Sequence, residues 1–335
     1  MKRIFYANQQ VAFKPTQGAD WKIAHGVQSV GLATTFSLEQ IFELGQLSIY
    51  ENIEAIPQVE ATLTKVLDGY SGIYLLSTVS AGGESLIERS SATTYMSLGI
   101  WPDTNLSATG APAQQVEMSG LAVTSVGYDL GIEDNFTESV TLVGHDKAWM
   151  YGSTCPSEGA ENGPGWDLVA AGGGFDNNDA PPSGVQRREQ FDLTNSSLPS
   201  EATSHNAKIQ SINVSADMSR ETLFELGSRR PYARVVSFPV EVTCDIEVLS
   251  LSGDMVSAFG VGCSGSTANC GTIASNVTDQ TIKVATCDGT VIHLGDKNRL
   301  SSVNYGGGDA GGGNATVTYS YVTFNDFTVT QTGLQ

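Results

Sequence analysis

Apolar and polar residues alternate along most of the chain with a period of two, the pattern of strands that bury one face. His25 to Phe36 reads as one such strand, with one face more apolar than the other. Glu60 to Leu67 alternates strongly and ends at the turn Asp68-Gly69. Further strands are predicted at Ile4 to Tyr6, Gly72 to Val79, Leu86 to Arg89, Thr93 to Trp101, Gln114 to Tyr128 and Phe136 to Gly144. Later ones fall at Val240 to Leu249, Gln280 to Ala285, Thr290 to Leu294 and Thr316 to Thr330.

One segment departs from this period. Ser37-Leu38-Glu39-Gln40-Ile41-Phe42-Glu43-Leu44-Gly45 offers an N-cap hydroxyl, an early glutamate at the positive end of a helix, an apolar stripe and a left-handed stop. It predicts a helix of about two turns, too short to hold without docking on a sheet. The same pattern returns at Ser219 to Gly227, 182 residues later. Between residues 28 and 67, twelve of forty positions match the residue at that offset, including Gln28/Gln210, Phe42/Phe224, Gly45/Gly227, Tyr50/Tyr232 and Pro57/Pro239. Roughly two or three matches are expected by accident. Ala315 to Tyr321 with Asn325 to Val329 also echo Leu121 to Tyr128 with Asp134 to Thr137, more loosely.

The chain therefore reads as an internal duplication: a first β domain over residues 1–151 with an N-terminal arm, a Gly/Pro-rich acidic linker or loop over 152–185, and a second β domain over 186–335. Each domain carries one short flanking helix in this reading. The length of 335 residues suits two domains of about 150.

Composition narrows the classes of function. The net charge of −19 is unevenly spread: residues 1–24 carry four basic and one acidic residue, 25–152 three against fifteen, 153–185 none against five, and 186–335 ten against fifteen. Such a surface repels phosphate backbones and argues against tight nucleic-acid binding, while suiting a surface that nucleic acid passes without sticking. The basic arm is expected to dock on another surface. No run of eighteen apolar residues is present, so no membrane-spanning helix is predicted, and the start of the chain lacks a signal-peptide core. A cytoplasmic origin is expected.

No catalytic, cofactor-binding or metal-binding residue is nominated. His25, His145, His205 and His293 have no metal-like spacing, and His145-Asp146-Lys147 reads as a solvated turn. The glycine clusters at 172–174, 306–308 and 311–313 lack the Lys-Ser/Thr of a phosphate loop. No serine sits in a Gly-x-Ser-x-Gly elbow, and the carboxylates are dispersed. Cys155, Cys244, Cys263, Cys270 and Cys287 read as reduced thiols, with a Cys263–Cys270 bridge in an oxidising medium as the alternative. Arg229-Arg230-Pro231-Tyr232-Ala233-Arg234 reads as a charged turn or as an inter-subunit contact with the acidic first copy.

The segments His25 to Gly69, Asn135 to Trp149, Ile209 to Leu249 and Asp288 to Thr330 resemble the tail tube (major tail) proteins of long-tailed bacteriophages. The resemblance is carried by His25-Gly26-Val27-Gln28-Ser29-Val30, Phe42-Glu43-Leu44-Gly45-Gln46, Pro57-Gln58-Val59-Glu60, Asn135-Phe136-Thr137-Glu138-Ser139-Val140, Phe224-Glu225-Leu226-Gly227 and Phe238-Pro239-Val240. It implies a mainly β fold of two tail-tube β-sandwich or rolled-barrel domains. It also implies a structural virion protein, not an enzyme, with no cofactor. Two domains per chain imply homotrimeric, pseudo-hexameric rings that stack into a tube with an acidic lumen, through which DNA passes without specific binding. Tail sheath, tape measure, terminator and baseplate proteins are the further partners it implies, with assembly in the host cytoplasm. A tube-initiating, terminating or baseplate ring of the same fold is the nearest alternative. A carbohydrate-binding β-sandwich adhesin, using Trp101, Trp149 or Trp166 as a stacking platform, is the alternative from another class.

Overall fold

A computed structural model describes residues 4, 6, 9–16, 19, 21–45, 47–101, 112, 114–144, 146–151, 184–195, 208–228, 231–250, 253–254, 256, 279–308 and 313–331. The expected linker at 152–185 lies outside these residues except for its last two.

The first half forms β1 (Gln9–Lys14), β2 (Lys22–Ile23), β3 (Val27–Thr35), β4 (Leu38–Phe42), β5 (Ile49–Glu54) and β6 (Gln58–Val66). After them come α1 (Ile73–Thr78), α2 (Leu86–Arg89), β7 (Thr94–Ile100), β8 (Gln114–Gly131), β9 (Thr137–Gly144) and β10 (Asp146–Tyr151). In the second half lie β11 (Phe191–Asn195), β12 (Ile209–Asp217), β13 (Arg220–Leu223), β14 (Ala233–Val236) and β15 (Glu241–Leu249). The last strands are β16 (Ile282–Thr286), β17 (Thr290–His293), β18 (Arg299–Gly306), β19 (Thr316–Phe324) and β20 (Thr328–Gln331). The mainly β expectation holds.

Antiparallel pairing runs β3-β6-β9-β8 in the first half and β12-β15-β19-β18 in the second. The order is the same, and so is the detail. Both repeats carry a bulge at the same place, between Val27 and Ser29 and between Ile209 and Ser211, and each bulged glutamine folds back on the chain: Gln28 Nε2 donates to Gly26 O at 3.2 Å and Gln210 Nε2 to Lys208 O at 3.0 Å. A second bulge recurs in β8 and β18, where Thr124 Oγ1 donates to Thr141 O and Ser301 Oγ to Ser320 O. By pairing, β19 therefore corresponds to β9 and β18 to β8. This corrects the looser echo of 121–128 in 315–321.

The predicted helices at Ser37 to Gly45 and Ser219 to Gly227 are absent. Each segment begins a β-hairpin, β4-β5 and β13-β14, closed at its base by Ala55 N to Ser37 O and by Ser237 N to Ser219 O, both 2.9 Å. Gly45 (φ 96°) and Gly227 (φ 89°) do adopt the left-handed conformation, but in the hairpin loops. Helix forms instead where strands were expected, at α1 and α2. Gly72 starts α1, and the Glu138 carboxylate accepts from Ile73 N at 2.5 Å and Tyr74 N at 3.2 Å, satisfying two orphan donors of the first turn. Ser85 and Glu88 close a capping box on α2. Among the described residues both helices belong to the first half, so the expectation of one helix per domain does not hold.

The repeated sheets bury one face under a second layer. In the second half this layer is the sheet β11-β16-β17-β20. In the first it is α1, α2 and strands β2-β1-β7 with the start of β8, which turns from one layer into the other at Gly120 (φ 60°). The N-terminal arm is thus part of the core of its own chain: its first strand is Gln9–Lys14, not Ile4 to Tyr6, and Lys14 is buried against Glu117 with its ammonium 4.5 Å from the Trp21 ring. The interior is continuous across the halves, from Leu63, Leu142 and Val126 through Val214 and Ile246 to Tyr319, Val284 and Ile292. Each such side chain contributes about 1.5–3 kcal/mol on burial. Gln186 N donates to Leu67 O and Leu86 N to Phe327 O, both 2.8 Å, so each half also closes the other.

Candidate assembly interface

The two repeats meet edge to edge. β8 pairs with β12 in the register Leu130↔Ile212, Asp129↔Asn213, Tyr128↔Val214 and Val126↔Ala216, and Tyr128, Leu130, Ile212 and Val214 are buried there. Since β3 corresponds to β12 and β18 to β8, the strands matching this junction are β3 at one end of the row and β18 at the other. Among the described residues neither has a partner on its outer side. Val30, Leu32 and Val303 remain only half-buried, and Tyr305 is 48% exposed where the matching Tyr128 is 3% exposed. An open edge with alternating apolar residues offers its unpaired backbone groups to any further strand.

β3 and β12 are separated by an even number of antiparallel steps and point the same way, so both hairpins leave the sheet at the same end. They are clothed in apolar residues that the chain does not bury. Phe42 and Phe224 are 59% and 64% exposed, Tyr50 and Tyr232 62% and 73%, and Leu44 and Leu226 fully so. The exposure is nearly equal at equivalent positions, so both repeats present the same apolar tips. The charges differ: residues 37–55 hold four glutamates and no basic residue, whereas 219–237 hold four arginines and two glutamates. Arg220 anchors the second hairpin across the junction, its Nε donating to Val123 O at 2.6 Å and Nη1 to Ser90 O at 2.9 Å. Burial pushes its pKa down to about 10, with Arg234 adding to the effect. Arg229 and Arg230 lie outside the described residues.

Among the described residues the second face of the eight-strand row is uncovered. Pairing places Ser29, Thr62, Thr64, Ser139, Ser215, Thr243 and Ser320 on it, together with Glu60, Asp129, Asp217, Glu241, Asp245 and Glu247. Arg299 shares this face and is paired with Asp279 at 2.7 Å. Short hydroxyl side chains with scattered carboxylates make a smooth acidic surface, which the charge count foresaw without locating.

Among the described residues no group of three His, Cys, Asp or Glu could hold a metal. His25 stacks on Tyr70 with centroids 4.0 Å apart, and His293 Nδ1 accepts from Gly295 N. Asp146 and Lys147 are in strand β10, not in a solvated turn; Asp146 accepts from Ser119 Oγ, and Lys147 Nζ donates to Thr34 Oγ1. Cys244 is buried, which raises its thiol to about 12, and Cys287 is a free exposed thiol. Cys155, Cys263 and Cys270 are outside the described residues. Trp101 is 3% exposed and packs on Trp21, so it offers no stacking platform; Trp149 is partly exposed, and Trp166 lies outside the described residues.

Two buried carboxyls support the frame. Glu138 accepts from Tyr128 Oη at 2.8 Å besides capping α1, and burial raises its pKa against these hydrogen bonds. Glu117 lies 3.6 Å from Lys14 Nζ; burial pushes its pKa up to about 8, opposed by Lys14, and its Oε2 has no hydrogen-bond partner among the described residues.

No protein-family model matches the sequence, and no curated protein matches it. Among solved structures, the chain is similar to a chain of the anti-feeding prophage (AFP) baseplate, from a 6-fold symmetrised cryo-EM structure. That likeness has 11% identity and a TM-score of 0.32 and covers 46% of this chain and 99% of the other.

Proposed function

We propose that this chain is a structural virion protein of a phage tail whose copies join edge to edge into closed rings of three, and that the rings stack as a tail tube. The observation that carries the reading is the junction of β8 with β12, whose counterparts β18 and β3 are left open at the two ends of the same chain. Repeating one junction between chains is a head-to-tail contact, and head-to-tail contacts of a fixed rotation close into rings. Closure also removes both open edges. The resemblance to tail tube proteins supplies the count of six repeats in a ring.

The hairpins serve stacking. Both leave the ring at one end, so each ring presents a crown of apolar tips to the next. The open acidic face of the sheet becomes the wall of the bore, where carboxylates repel phosphates and the short hydroxyl side chains leave no grip. Electron microscopy of the purified protein tests the reading. Tubes of stacked rings are expected; isolated rings that never stack point to an initiating or terminating ring, and a protein that stays monomeric at high concentration contradicts the assembly altogether.

A further inference from the structure

The junction of β8 with β12 runs on past the last residue of β12. Met218, which follows it, donates its backbone N–H to Thr124 O at 2.7 Å, and its side chain is part of the core, only 2% exposed. Arg220 then reaches Val123 O. The contact thus covers the bulge of β8 between Val123 and Ser125 as well as the straight part of the strand.

The counterparts of these residues lie at the two open edges. The offset of 182 that matches the first bulges and the two hairpins sets Phe36 in the place of Met218 and Leu38 in that of Arg220. The second bulges set Ser301 in the place of Thr124 and Leu300 in that of Val123. Phe36 follows β3 as Met218 follows β12, yet it is 67% exposed. Leu38 is exposed too, and Leu300 is half-buried where Val123 is buried. A phenylalanine stands in solvent at a position whose repeat-mate is core, and a leucine replaces the arginine that is held by hydrogen bonds.

We propose that Phe36 of one copy is the anchor of the contact between copies, seated over the bulge of β18 of the next, beside Leu300, with its N–H donating to Ser301 O. Leu38 takes by apolar contact the place that Arg220 holds inside the chain. This rests on the ring reading and specifies its contact. The occupant is a second copy because the register of the internal junction, carried over as Leu32↔Tyr305 and Thr34↔Val303, leads directly to Phe36 beside Ser301. Buried aromatic anchors of this kind dominate interface energetics.

The experiment follows wild type, Phe36→Ala and Phe36→Met by sedimentation over a concentration series and by electron microscopy, with hydrogen exchange of the free and assembled wild type. Phe36→Ala is expected to raise the concentration for half-assembly about tenfold or more, leaving single chains with an unchanged melting temperature. Phe36→Met supplies the side chain of the other repeat and assembles like wild type. The amides of residues 30–36 gain protection on assembly. Phe36→Ala assembling at the wild-type concentration, Phe36→Ala giving rings that merely fail to stack, or Phe36→Met failing as completely as Phe36→Ala overturns the anchor and leaves the ring standing. Assembled protein with no added protection over 30–36, or a wild type that never assembles, removes both.

Discussion

Tyr128 and Val214 stand directly opposite each other across β8 and β12, one from each repeat, and the tyrosine hydroxyl continues from this junction to the buried Glu138 that caps α1. The seam between repeats is thus tied to the helix beneath it. Tyr128→Phe removes one of the three donors to Glu138 and is expected to lower stability by about 1–2 kcal/mol. Glu138→Ala orphans Ile73 N, Tyr74 N and the tyrosine hydroxyl together and should cost about 3 kcal/mol or more. Urea denaturation of the monomer measures both, and equal small losses would mean that the network carries no such weight.

The hairpin tips make a different prediction, because nothing in the chain depends on them. Leu44→Asp and Leu226→Asp alter fully exposed positions, so the melting temperature should move by no more than about 0.5 kcal/mol implies. Stacking, in contrast, should fail, leaving rings without tubes in the electron microscope. Tubes of normal length from the double variant would show that the tips do not touch the next ring.

Glu117 gives the pH dependence. Its folded pKa, about 8, lies above the ordinary 4.5, so between these values the folded state holds a proton that the unfolded state has lost. Its contribution is therefore fully present below pH about 4.5 and is lost as the pH rises to about 8, with a slope approaching 1.4 kcal/mol per pH unit. Glu117→Gln stays neutral throughout and should flatten that part of the stability profile. A profile unchanged by the substitution would show that Lys14 keeps the carboxylate ionised.

Much of this was legible in the sequence, and the failures have physical causes. Strands β3, β6, β12 and β15 bury one face, so their alternation survives in the residues. The hairpins bury neither face in the single chain, so Ser37 to Gly45 shows no sheet period, and its serine, glutamate and glycine read as helix signals. What decides the matter is the returning strands Ile49 to Glu54 and Ala233 to Val236. Ile73 to Thr78 has a strand-like composition and is helical because Glu138, distant in sequence, caps it. The capping box Ser85-Leu86-Ile87-Glu88 was readable from spacing and marks α2. The edges of β3 and β18 could not be found from residues alone, since an open edge has the same sequence as a paired one.

The central claim, that chains join through a copy of their own internal junction and close after three, is tested most directly by cross-linking. Thr34→Cys with Val303→Cys, the counterparts of the facing pair Ala216 and Val126, places two thiols across the contact at the separation of facing strand residues, about 4.5–5.5 Å between Cα atoms, which suits a disulfide. Oxidised assemblies run on a denaturing, non-reducing gel should give a ladder that stops at three chains, while either single variant gives none. A ladder that ends at six, or continues without limit, or no ladder from protein that has visibly assembled, would contradict the account.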